Sequence, residues 1–114
     1  MSSIILSFVG QQDPFAKTNS EGSIITLINH LIQQHQPIKR VILLYTDTTK
    51  LGAIDTQDWL TSTLNLPAEA IQLLPVEETL SRDPVNLLFA VQAARLGIEQ
   101  AQPYLDPTDT LEFN

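Results

Sequence analysis

Gly10-Gln11-Gln12-Asp13 and Glu21-Gly22-Ser23 bracket a polar stretch in which glycine, amide and carboxylate groups lie close enough in sequence to meet one ligand. Gly10 and Gly22 permit close backbone approach, and the glutamine amides donate and accept hydrogen bonds, a chemistry suited to a nucleotide base or a phosphate. The same stretch also fits an ordinary polar connection. It is not the dinucleotide fingerprint, because Gly10 has no glycine two residues on and the gap before the next helical pattern is too long for that tight turn. No nicotinamide or other cofactor is expected. A second polar set, Thr46-Asp47-Thr48-Thr49-Lys50, supplies hydroxyls and one cation, although Asp and Thr at such a place are common turn formers.

The remaining chemistry-bearing residues read as structural. His30 and His35 are five positions apart, off the spacing that puts a metal pair on one helix face, so no metal site is assigned. Glu77, Glu78 and Asp83 read as a solvated loop with a helix cap, and Arg82 and Arg95, which could make a phosphate contact or a dimer salt bridge, read as surface residues. No residue is assigned a catalytic role.

The elements that must position these groups follow from hydropathy. Ile4 to Val9 is a nearly unbroken apolar run ended by Gly10, the pattern of a strand buried on both faces. Ser23 to His35 carries Ile24, Ile25, Leu27, Ile28, Leu31 and Ile32 at helical spacing, with Ser20 as a cap. Pro37 stops that helix, and Val41 to Tyr45 makes a second buried strand. Asp55 or Thr56 can cap a second helix bearing Trp59, Leu60 and Leu64, and Ile71 to Val76 forms a weaker third strand. Asp83-Pro84 opens a third helix that breaks near Pro103, and Asp109 to Asn114 reads as a fourth strand.

Numbered in chain order, these give β1-α1-β2-α2-β3-α3-β4. The expectation is one α/β domain over residues 1–114, a Rossmann-like three-layer sandwich with a mainly parallel sheet. In such a sheet ligands bind outside the carboxyl ends of the strands, where both polar sets fall. A last strand normally delivers a further loop and helix, so the finish at Leu111-Glu112-Phe113-Asn114 is read as a domain incomplete at its carboxyl end.

Composition narrows the partners. With 13 acidic against 6 basic residues and a formal charge of −7, the chain is a poor match for duplex nucleic acid, whose binding needs Lys and Arg to neutralise phosphates. The absence of cysteine excludes thiol catalysis, thiolate metal sites and disulfides. There is no secretory pattern and no run near the roughly 18 apolar residues of a membrane span, so the expectation is a cytoplasmic protein with no membrane partner.

The segment Leu6-Ser7-Phe8-Val9-Gly10-Gln11-Gln12-Asp13-Pro14, with Glu21-Gly22-Ser23-Ile24 and then Leu43-Leu44-Tyr45-Thr46, resembles the CARF family, the CRISPR-associated Rossmann-fold sensor domains. The match covers nearly the whole chain in element order, and its specific part is the first strand, loop and helix start. The resemblance implies a homodimer whose paired sheets form a cleft for cyclic oligoadenylate, foremost cyclic tetra-adenylate, the messenger of type III CRISPR antiviral signalling. It implies that Gly10, Gln11, Gln12 and Asp13 contact the ligand, that the Glu21-Gly22-Ser23 end of the loop helps to line the cleft, and that Thr46 and Asp47 border it. Family members usually continue into a Gly-Thr-rich turn after the fourth strand, and this sequence ends at Asn114, where that turn would begin. They are commonly fused to an effector, of which this chain contains none.

Two other readings stand beside the sensor. A ring nuclease would use the same cleft to hold a phosphodiester with its 2′-hydroxyl aligned for attack. A dimerising structural domain would use the fold and bind no nucleotide.

Overall fold

The computed structural model describes residues 2–10, 13, 22–76 and 87–114. Its elements run β1 (Ser3–Phe8), α1 (Ser23–Gln33), β2 (Ile38–Tyr45), α2 (Lys50–Thr63), β3 (Ile71–Pro75), α3 (Leu87–Ala101) and β4 (Thr110–Phe113). The strands form one sheet in the order β3-β2-β1-β4, and every pairing is parallel. This is the expected Rossmann-like α/β architecture.

The unbroken apolar runs are explained by burial on both faces. On one side Ile5, Val9, Val41 and Leu43 pack with Ile24, Ile28 and Leu31 of α1 and Ala53 and Leu60 of α2. On the other Ile4, Leu6, Ile42 and Leu44 meet Ala101 of α3. Each of the Val, Leu and Ile side chains among them contributes roughly 1.5–3 kcal/mol on leaving water. The sheet therefore forms the middle of three layers.

The starts of β2 and α2 are among the boundaries that differ from the sequence expectation. The second strand begins at Ile38 rather than Val41, because Lys39 and Arg40 can lie in a strand while their long side chains carry charge to its rim. Ser3 pairs Ile38 and Ile4 pairs Arg40, so the register slips by one residue at Lys39, which sends Lys39 and Arg40 to different partners. The second helix begins at Lys50, a turn before Asp55 and Thr56, neither of which caps it. Thr56 is fully buried and its hydroxyl donates to the Gly52 carbonyl at 2.7 Å, the back-bond of a residue inside a helix.

The end of α1 is settled locally. His35 takes a φ of 58° and donates its N–H to the Ile32 carbonyl, while Gln36 donates to the Leu31 carbonyl. This paired left-handed ending turns the chain toward Pro37 and β2. His30 and His35 are both exposed, as expected. Among the described residues no helix is long and apolar enough to cross a membrane.

Candidate functional site

β1, β2 and β3 step successively to one side, and β4 lies on the other side of β1. The chain thus reverses direction across the sheet between β1 and β4, and the crevice outside their carboxyl ends is where this class of sheet receives ligands. Gly10 stands immediately past β1 at that point.

The backbone around the crevice is closely specified. Val9 extends the β1–β2 pairing by donating to the Leu44 carbonyl at 2.9 Å. The Gly10 N–H then donates to Asp13 Oδ2 at 2.8 Å, and the Asp13 N–H returns to the Gly10 carbonyl at 3.3 Å. The other carboxylate oxygen, Oδ1, accepts the Ile24 N–H at 3.4 Å. Asp13 therefore closes its own turn and serves the first turn of α1, where a negative group is favoured by the helix dipole.

This arrangement replaces the expected cap. Gly22, not Ser20, stands at the capping position, and Ser23 is the first helical residue. Having no side chain, Gly22 offers only its carbonyl, which accepts the Thr26 N–H at 3.1 Å and the Thr26 hydroxyl at 2.9 Å. Asp13 supplies from a distance the oxygen that Gly22 lacks.

The second polar set forms a self-contained turn beside the first. The Thr46 N–H donates to the Thr49 hydroxyl at 2.9 Å, the Thr49 N–H donates to the Thr46 carbonyl at 3.1 Å, and the Thr46 and Thr48 hydroxyls are 2.8 Å apart. Asp47, Thr48 and Lys50 are exposed there.

Gly52, which the sequence reading passed over, joins the two sets. A Cβ at this position would lie 2.9 Å from the Asp13 carbonyl oxygen and 3.4 Å from Val9 Cγ1. Only a glycine lets the start of α2 come this close to the Gly10–Asp13 turn. A sequence signal was hidden by the expected start of the second helix at Asp55 or Thr56; with α2 beginning at Lys50, Gly52 lies inside a helix, where glycine costs roughly 1 kcal/mol relative to alanine and asks for a packing reason.

On the other flank, Asn114 donates its N–H to the Leu6 carbonyl at 2.9 Å and its Nδ2 to the Ser7 hydroxyl at 3.1 Å. Ser7 is fully buried, and the Phe8 and Phe113 rings meet edge to face at 6.2 Å.

The structure thus gathers Gly10, Asp13, Gly22 and Ser23 at one end of β1 and α1, with Thr46 and Asp47 at the end of the adjacent strand. Asp13 is only 7% exposed, whereas Gly10 and Asp47 face solvent. Gln11, Gln12 and Glu21, and the Glu77, Glu78, Arg82 and Asp83 region, lie outside the described residues.

Among the described residues the displaced titrations belong to the opposite, amino edge. The Lys39 ammonium is raised above its ordinary value chiefly by hydrogen bonds to Asp109 and Asp106. Asp109 is held below its ordinary value first by the Asp106 N–H and then by Lys39. These contacts, 3.0 Å to Asp106 and 2.9 Å to Asp109, tie the start of β2 to the turn before β4 and are structural. A hollow of about 540 Å³ lined by Ile32, His35, Pro37, Ile38, Leu64 and Leu66 lies at this edge too. No Asp, Glu, Lys or Arg lines it, so its size does not make it the better candidate. Among the described residues no group of three or more His, Cys, Asp or Glu is placed to hold a metal ion.

Comparison with protein-family models, with curated proteins and with solved structures finds no match to this chain.

Proposed function

We propose that this chain is a ligand-binding module, a CARF-like sensor that receives cyclic oligoadenylate, foremost cyclic tetra-adenylate, at the carboxyl edge of its sheet. The observation that carries the reading is the Gly10 turn at the β1–β4 switch point, exposed in front and braced behind by Gly52. The resemblance of the Leu6–Pro14 and Glu21–Ile24 segments to the CARF family supplies the ligand class. On this reading Gly10, Gln11, Gln12, Gly22 and Ser23 line the cleft together with Glu21, and Thr46 and Asp47 form its border. A homodimer matches a two-fold ligand to a two-fold cleft. Its setting is cytoplasmic antiviral signalling, with any effector carried outside this chain.

Calorimetric titration of cyclic tri-, tetra- and hexa-adenylate, with the oligomeric state recorded in the same buffer, tests this. One ring of tetra-adenylate per dimer is the expected result, abolished by Gly10→Arg, which fills the open face of the turn. A folded protein that binds none of the rings overturns the proposal.

A further inference from the structure

We infer that Asp13 sets specificity by position rather than by contact. Its carboxylate already occupies the anion place between the Gly10 amide and the start of α1, so the Gly10 turn meets a neutral, planar part of the ligand and not a phosphate. The choice of ligand rests on the binding reading above; the role of Asp13 rests on its own geometry.

Two of the donors that a phosphate would seek here are taken. In a sheet of this kind the first strand–helix junction offers backbone N–H groups to an anion. In this chain the Gly10 N–H is bound to Asp13 Oδ2 and the Ile24 N–H to Asp13 Oδ1. Two separate elements converge on one carboxylate that is more than nine-tenths buried. A phosphate reaching those amides would have to displace it or stand beside it, and like charges at such range in a partly dry site repel strongly.

Of the described cations, Lys50 stands exposed at the start of α2 on the carboxyl edge, while Lys39 and Arg40 are spent elsewhere. Lys39 is engaged by Asp106 and Asp109, and Arg40 by the Glu69 carbonyl, Gln72 and the Tyr104 ring, all toward the opposite edge. The chain as a whole has 13 acidic residues against 6 basic ones.

What Gly10 does present is bare backbone. Gly10 is exposed, and among the described residues a Cβ there would meet only Asp13 Oδ2, at 3.5 Å. That face admits a flat group to van der Waals contact with the peptide, as a base or a ribose would make. Gly52 fixes the depth of the face from behind.

The test is a titration of the isotopically labelled full chain with inorganic phosphate, following the Gly10 and Ile24 amide resonances, in the native protein and in Asp13→Asn and Asp13→Ala. In the native protein phosphate should leave both resonances unmoved. In Asp13→Ala both should shift, with phosphate bound about tenfold more tightly once the like charge is removed. Asp13→Asn keeps an oxygen for one amide and should show a smaller gain. If the alanine variant unfolds, the native and asparagine proteins decide the matter. Phosphate shifts at these amides in the native protein overturn the inference, as does a folded asparagine variant with no gain. Cyclic tetra-adenylate added to the same samples separates the two proposals. A native protein that ignores both ring and phosphate, beside an asparagine variant that gains phosphate, defeats the sensor and keeps the role of Asp13.

Discussion

At the amino edge of the sheet, polar side chains are spent on one another across long stretches of chain, whereas at the carboxyl edge, the Asn114–Ser7 bond apart, they are tied to nearer neighbours. Lys39 reaches Asp106 and Asp109, Asp109 accepts the Ser2 N–H, and Gln36 donates to Ser3 and Thr110. Arg40 donates to the Glu69 carbonyl and Gln72 beneath the Tyr104 ring, with its carbon 3.8 Å from the ring centroid. Thr46, Thr48 and Thr49, by contrast, bond within one turn, and Asp47 and Lys50 have no ion pair among the described residues. The amino edge closes the fold, while the carboxyl edge keeps polar groups exposed without loosening the sheet.

The sharpest way to break this contrast is to damage the closed edge. Arg40→Ala removes two hydrogen bonds from a charged donor and the stacking on Tyr104. A stability loss of about 2 kcal/mol is expected in urea unfolding, with ring affinity unchanged. Ring affinity that falls in proportion to stability would show that the two edges are not separable.

Gly52→Ala probes the other edge. The added methyl must push back a backbone oxygen now 2.9 Å away, yet alanine recovers roughly 1 kcal/mol of helix propensity, so the two effects partly cancel. A stability change within about 1 kcal/mol is expected, together with about tenfold weaker ring binding, because the Gly10–Asp13 turn is displaced. Undiminished affinity would mean that the turn's position is irrelevant to the ligand.

The same contrast governs what could be read from the sequence. Strands Ile4–Val9 and Val41–Tyr45 were legible because burial on both faces leaves an unbroken apolar run. The helix starts were less legible. Asp55 and Thr56 look like caps, but both lie inside α2, where the buried Thr56 hydroxyl bonds back to the Gly52 carbonyl, and the α1 start relies on Asp13, too distant in sequence for any capping pattern. The positions of Gly10, Gly22, Thr46 and Asp47 at strand and helix ends followed from element order alone. The burial of Asp13 and the close approach of Gly52 did not, since both depend on how α2 leans on the first turn.

The smallest expected effect sharpens the comparison through pH. Asp109 is held below its ordinary carboxylate value, so folding favours its ionised form. The resulting stability is complete above the unfolded value and is lost as pH falls through the folded one. Lys39 works in the opposite sense. Raised above its ordinary 10.5, it contributes fully below that value and loses its contribution as pH rises through the folded one. The Asp109 side chain is 5% exposed against 73% for Asp106, so Asp109 is the less screened partner of the shared lysine. Urea midpoints of native protein and Asp109→Asn, measured from neutral pH down through the carboxylate range, should therefore differ most near neutrality and converge in acid. Curves that stay parallel would place the acid sensitivity elsewhere. Ring affinity should be indifferent to this substitution at neutral pH, because the network it weakens stands across the sheet from the Gly10 turn.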